Sequence, residues 1–435
     1  MPNLTGLLGV TVLILLALAM SWNRKAVPWR LVGVGIVLQI VLAALMLRIP
    51  GATWVFDQAA WLVNGVINQS EQGIEFIFGP NLSNPGGPWG FVFAFKVLPI
   101  IIFFASLMSV LYHLGIMQRL VAGLAWLMRR TMGVTGAEAM CMASGIFLGQ
   151  TESPLTVKPF LAGMTRAQLM TVMLGGFANI AGSVLGAFVM MLGGDDDAQR
   201  VLFAKHLMCS SVMSAPAAFV IARIILPETE TPPSEDAAAL LKGVPTAEKP
   251  TNLFDAAAIG ATDGLKLAAN VAGMLIAFVS LLAVLNWIIG GAGGVFGAPD
   301  LSLQMILGWL LAPLAWTMGI PWSECHIVGG LIGQKIVLTE FVAYTNLAQI
   351  MHPAALPPGD ATGAVPPAAL SARTAQITAY ALCGFSNFAS IAIQIGGLSV
   401  MAPTRRKDFS QLAFRAMLGG ALATQMTACV ASLFI

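Results

Sequence analysis

The chain has 435 residues, of which 57% are hydrophobic and only 10% charged. An ordinary soluble domain carries about 25% charged residues, so this composition excludes water as the main solvent. The formal net charge of +2 is spread between apolar runs with no basic stripe, which excludes a nucleic-acid partner.

A helix needs about 20 mostly apolar residues to cross a bilayer, and runs of that kind recur from residue 5 to the C-terminus. The first, about 5–21, has no basic residue before it and is followed by Arg24 and Lys25. A signal peptide has the opposite polarity, so this run is read as a first span with its N-terminus outside. SWNRKAVPWR is basic and therefore inside, and a second span, about 31–48, leads back out. Residues 52–88 mix Trp54, Trp61 and Phe76 with Asp57, Glu71 and Glu75, a pattern that suits an amphipathic helix lying in the outer interface. A third span, about 90–116, returns to the inside, where Arg119, Arg129 and Arg130 follow.

Residues 137–165 are apolar but broken by GQTESP, and the basic Arg166 at the far end makes the segment re-entrant. Non-helical backbone at membrane depth is tolerated only where protein buries it or a wet cavity satisfies it, so the break points to a site. Spans at about 168–192 and 206–226 follow, then a polar stretch at 227–262 that reads as a cytoplasmic linker with a short surface helix. After a span at about 264–289, the apolar block 303–351 is too long for one crossing and is interrupted at GIPWSE and GQKIVLTE. An outside loop rich in proline follows, then spans at about 374–396 and 409–434 around the basic PTRRKD, which places the C-terminus outside.

Two units resemble each other. GQTESPLTVKPF (149–160) precedes GFANIAGS (176–183), and GQKIVLTEFVAY (333–344) precedes GFSNFASI (384–391). The first starts from the inside and the second from the outside. Inverted repeats with interrupted helices mark the binding sites of secondary transporters. The fold class is therefore all-α integral membrane, with about eight transmembrane helices, two re-entrant hairpins in inverted repeats and an interfacial amphipathic helix.

An acidic residue at a helix centre costs about 2.5–3.5 kcal/mol on insertion scales, yet Glu152 and Glu340 fall in the two breaks. Each either caps free amides, pairs with Lys158 or Lys335, or faces a wet cavity and binds a polar solute or a proton. Gln150 and Thr151 stand beside Glu152, and Asn387 and Ser390, three apart, can converge on the same ligand. That set suits a solute with several donors and acceptors. Cys141, Cys209, Cys325, Cys383 and Cys429, and His113, His206, His326 and His352, lack the spacings of a disulfide framework or metal site. A membrane-embedded enzyme using Glu152 and Glu340 as an acid/base pair would need further groups, but no HExxH or Gly-x-Ser-x-Gly is present. A passive channel would differ from a symporter in failing to concentrate its solute.

GQTESPLTVKPFL, GFANIAGSVLGAF, GQKIVLTEFVAY, YALCGFSNFASIAIQIGGL and AFRAMLGGALATQMTACVA resemble the signature segments of the concentrative nucleoside transporters, over most of residues 90–435 and in the right order. The resemblance implies a bacterial inner-membrane homotrimer that imports nucleosides such as uridine or adenosine with a cation, its transport domain moving like an elevator against a scaffold. It implies a scaffold with an interfacial segment over 1–116, a first repeat over 117–226, a linker and scaffold helix over 227–302, and a second repeat over 303–435. It further implies that Gln150 and Thr151 bond the base with Glu152 beside them, that Glu340, Asn387 and Ser390 hold the ribose, and that Val184 and Phe385 pack around the ligand. No cofactor is implied beyond the coupling ion, sodium or proton. Three departures stand out. Thr339 replaces an expected Asn before EFVAY, and the loop at 353–373 is longer than usual. Gly145 occupies the place of an Asn whose side chain would bind sodium, which leaves the carbonyls of Leu148 and Ile180, with Asn179 as the compensating ligand. The alternative is proton coupling through Glu152.

Overall fold

The computed structural model describes residues 5–83, 92–232, 250–352 and 370–435, and every regular element among them is helical. Helices α1 (Thr5–Ala19) and α2 (Trp29–Leu47) fall where the first two spans are expected. Helix α3 (Ala52–Phe78) buries Ala60, Asn64, Ile67, Ser70 and Ile74, spaced three or four apart, and exposes Trp54, Trp61 and Phe76 on the other side. This two-faced pattern is that of a surface helix; residues 84–88 of the predicted stretch lie outside the described residues. Helix α4 (Leu98–His113) is entered through a turn at Phe93–Lys96.

The sequence reading treats the arginines after α4 only as a charge cluster, but they belong to a helix, α5 (Ile116–Met132). Met117, Val121, Ala125, Met128 and Met132 form its buried stripe, and Arg119, Arg129 and Arg130 lie on the exposed side. Gly115 and Gly133, with φ of +75° and +67°, bracket it in left-handed conformations that residues with a Cβ avoid.

The first repeat then runs through α6 (Gly136–Gly145), an irregular tip at 146–152, a 3-10 turn at Ser153–Val157 and a short helix at Lys158–Leu161. The span expected at 168–192 is not one helix. It is α7 (Arg166–Ala178) and α8 (Gly182–Gly193), parted at 179–181. Helix α9 (Asp197–Ile225) starts well before the expected 206 because Asp196 caps it, its carboxylate accepting from Ala198 N at 2.8 Å.

Residues 233–249, which hold most of the predicted linker, lie outside the described residues. Helix α10 (Leu253–Val295) begins within the polar stretch rather than at 264, since Asn252 Oδ1 accepts from Asp255 N at 2.9 Å. It runs for 43 residues. Gly260 and Gly264 bring it against α4: a Cβ on Gly264 would lie 2.7 Å from Ile102 Cα, and Ser106 Oγ donates to Ala257 O at 2.9 Å.

The second repeat opens with α11 (Leu303–Thr317) and α12 (Trp322–Val337), bent from each other by 116°, and continues with α13 (Glu340–Met351). Most of the predicted outside loop, 353–369, is outside the described residues. The span expected at 374–396 is again two helices, α14 (Ala372–Leu382) and α15 (Phe388–Met401), parted at 383–387, before α16 (Arg406–Ala431).

By length and apolar character, five helical stretches among the described residues can cross a membrane, or six if the bent α11–α12 pair counts as one. Of residues 1–116, α1 and α2 lie against α16 and α9, whereas α4 lies along α10. The buried Gln39 of α2 stitches that first contact, its Nε2 donating to Met213 O at 2.9 Å and to Thr427 Oγ1 at 3.2 Å.

Candidate functional site

Four interruptions of helix meet inside the two repeats: the tips at 146–152 and 338–339 and the breaks at 179–181 and 383–387. Gly182 N donates to Phe147 O at 2.7 Å, which docks the first tip onto the α7–α8 break. In the second break Asn387 caps α15, its Oδ1 accepting from Ser390 N at 2.8 Å. Its Nδ2 donates to Glu340 Oε2 at 2.8 Å, which docks the second tip onto the α14–α15 break. Asn387 therefore stands at the N-cap of α15, with one of its two amide hydrogens and its oxygen bonded.

The remaining link crosses between the repeats. Gln150 Nε2 donates to Ser390 Oγ at 3.0 Å, so the residues expected to read the base stand directly against those expected to hold the ribose. Gln150, Glu340, Asn387 and Ser390 are all buried. Gln150 Oε1 is buried without a hydrogen-bond partner, and an unmet buried acceptor of this kind costs about 1–3 kcal/mol. A polar solute between the tips would meet it.

The two carboxylates differ. Glu152 Oε2 accepts from Gly149 N at 3.1 Å, so it caps its own tip. Glu340 is buried and does not pair directly with Lys335 among the described residues. Instead the buried Lys335 ammonium donates to Thr424 Oγ1 at 2.8 Å and to the carbonyls of Ala381 and Cys383 at 3.1 and 3.5 Å, holding the end of α14. Lys158 is exposed and forms no ion pair with Glu152 among the described residues. Thr339, the departure from the expected Asn, caps α13 by accepting from Val342 N at 3.4 Å, so the departure keeps the cap. Val184 is buried in the apolar cluster of α8, while Phe385 is half-buried at its edge.

At the expected ion position, α6 ends at Gly145 and α7 at Ala178, which brings the negative ends of two helix dipoles together. Among the described residues the carbonyls of Gly145, Leu148 and Ile180 accept no backbone hydrogen bond. Asn179 fills the space that Gly145 leaves: a Cβ on Gly145 would lie 3.0 Å from its Nδ2. Ser214 Oγ lies against both Asn179 Oδ1 and, at 2.7 Å, Ser211 O. A hydroxyl has one proton. If it goes to Ser211 O, the Asn179 amide turns its NH2 to Ser214 and its oxygen toward Gly145, an orientation that hydrogen-bond bookkeeping decides. Carbonyl and amide oxygens are the type of ligand that a hard cation takes.

Gly176, Ser214, Gln394, Gly397 and Thr424 contribute to this architecture and were not identified from sequence. The cue for the pair on α15 is their i+4 and i+7 spacing from Ser390.

Comparison with known proteins matches residues 206–432 to a family described as Na+ dependent nucleoside transporter C-terminus, 8–81 to the corresponding N-terminus, and 94–195 to a family described as Nucleoside recognition. An uncharacterized transporter from Haemophilus influenzae is 42% identical over 441 residues, covering 100% of this chain and 98% of that protein. The human Sodium/nucleoside cotransporter 1 is 38% identical over 433 residues, covering 99% of this chain and 64% of its own length. The solved structure of CNTnw in an inward-facing substrate-bound state superposes with a TM-score of 0.88 at 42% identity, covering 100% of this chain and 98% of that one.

Proposed function

The chain belongs to the concentrative nucleoside transporter family, and from that premise we propose that it imports nucleosides by symport with a cation, as a multi-pass protein of the bacterial inner membrane with both termini outside. The observation that carries the reading is the Gln150–Ser390 bond, which sets the tip of one inverted repeat against the break of the other. Gln150 and Thr151 read the base, with Glu152 beside them. Glu340, Asn387 and Ser390 hold the ribose hydroxyls, and Val184 and Phe385 pack on the ligand.

The coupling ion is sodium, held by the carbonyls of Gly145, Leu148 and Ile180 and the amide oxygen of Asn179. The convergence of helix C-termini supports a bound cation. Proton coupling through Glu152 is the second reading, supported by a carboxylate at the tip that forms no ion pair among the described residues.

The α4–α10 seam forms the scaffold and the two repeats the moving part of an elevator. Helices α1 and α2, which the family resemblance groups with the scaffold, lie against α16 and α9 and travel with the repeats. The assembly is a homotrimer, a reading supported by family membership and by the largely exposed apolar face of α10 at Ile276, Trp287 and Val295.

Uptake of radiolabelled uridine and adenosine into proteoliposomes, under imposed sodium or proton gradients, tests the proposal. Accumulation that collapses with an ionophore, with uracil a much weaker competitor than uridine, supports it. Uptake indifferent to both gradients leaves a facilitator in place of a symporter.

A further inference from the structure

Ser390, Gln394 and Gly397 follow one another along α15 at i, i+4 and i+7, which puts them on one face. Ser390 Oγ accepts from Gln150 Nε2 at 3.0 Å. The fully buried Gln394 donates from Nε2 to Met173 O of α7 at 2.9 Å. At Gly397 the face carries no side chain, and Thr151 fills the space: a Cβ built there lies 2.8 Å from Thr151 Cγ2 and 3.3 Å from Thr151 Cβ. On α7, Gly176 is bare for a related reason. A Cβ there would overlap Gln394 Nε2 and lie 3.2 Å from Gln150 Cβ.

We propose that this face of α15, together with Gly176, is the seat on which the first hairpin tip rests, and that Gly397 and Gln394 are positioning residues for Thr151 and Gln150. The proposal rests on the reading of those two residues as ligand contacts. Thr151 is β-branched and therefore stiff about χ1, so a methyl group at 397 is not absorbed by a small torsional drift. Either Thr151 changes rotamer and carries its hydroxyl away, or the tip lifts from α15 and stretches the Gln150–Ser390 bond. Both move ligand contacts while leaving the helix sound, since alanine is a better helix former than glycine. A loss of transport in Gly397→Ala thus reports the contact with the tip.

The test is the KM and maximal rate for uridine and adenosine in proteoliposomes, with yield and thermal midpoint as controls for folding. Gly397→Ala is expected to raise the uridine KM about fivefold or more with both controls unchanged. Thr151→Ser keeps the hydroxyl and removes the methyl that a side chain at position 397 would meet. The pair Thr151→Ser/Gly397→Ala is therefore expected within about twofold of Thr151→Ser alone. A wild-type KM in Gly397→Ala, or a pair as impaired as Gly397→Ala, overturns the seat. Relief in the pair, with both nucleosides shifted by one common factor in Gly397→Ala, supports the seat and removes base reading by Thr151.

Discussion

The two interrupted helical segments, α6 with the tip at 146–152 and α12–α13 with the tip at 338–339, are anchored by opposite means. At the foot of the first, Arg223 Nη2 donates to Glu138 Oε1 at 2.5 Å, and both side chains are buried. Glu138 Oε2 accepts from Thr135 Oγ1 at 2.8 Å, and Glu228 Oε2 accepts from Arg223 Nη1 at 3.3 Å and Thr165 Oγ1 at 2.6 Å. Gln168 Nε2 donates to Thr135 Oγ1 at 3.1 Å, so both feet of the hairpin are tied together and to the end of α9. Arg405 adds bonds to the carbonyls of Ala162 and Met164.

At the foot of the second hairpin, the half-buried Arg373 binds neutral carbonyls, donating to Gly319 O at 2.7 Å and Ser432 O at 2.8 Å. The first foot is a buried charge network, whereas at the second an arginine ties the α11–α12 turn to the residue that ends α16. Charge stranded in a dry interior costs far more than charge left near solvent, so the same deletion should act very differently at the two feet.

Removing Arg223 is the largest effect expected. Arg223→Met leaves Glu138 buried without its cation, a loss of about 3–5 kcal/mol for a broken buried pair. It should lower the melting temperature of the solubilised protein sharply, while Glu138→Gln/Arg223→Met should be milder than the single change. Arg373→Met strands no charge and should cost less, about 1.5–3 kcal/mol for bonds made by a charged donor. Equal losses at the two feet, read by size-exclusion after heating, would remove the contrast.

The tips carry the contrast into function. Glu340 is buried and bonded to Asn387, so Glu340→Gln keeps the shape but gives up a charge-assisted acceptor worth about 1.5–3 kcal/mol. Uridine uptake should fall about tenfold or more with assembly intact, and near-normal uptake would end the ribose assignment. Thr151→Ala should act more weakly and selectively, altering preference among nucleosides by a few-fold, on the order of 1 kcal/mol. Scaling of every nucleoside by one factor would remove base reading from Thr151.

The helix interruptions at 146–152 and 338–339 were legible because their sequence cues are local. GQTE and GQKIVLTE break apolar runs, and Glu152 and Glu340 are conspicuous where charge is expensive. The breaks at 179–181 and 383–387 were read as continuous helix because no proline marks them; Asn387, followed by Ser390, is an N-cap cue within an apolar stretch. Helix α5 was missed because its buried stripe is narrow and the arginines Arg119, Arg129 and Arg130 read as the end of a span. The Glu138–Arg223 pair and the Gly397–Thr151 contact join residues far apart in the chain, and spacing carries no information about them.

In the proposed mechanism ion and solute share the first tip, since Gln150 touches Ser390 while Gly145, a few residues earlier, lies beside Asn179 at the α7–α8 break. Two ligands coupled in this way must raise each other's affinity by the same factor. Calorimetric titration of uridine into the detergent-solubilised protein, in sodium and then in potassium at fixed pH, measures that factor. The account predicts tighter uridine binding in sodium for the wild type and equal binding in both salts for Asn179→Ala. Equal affinity in the two salts for the wild type would contradict it.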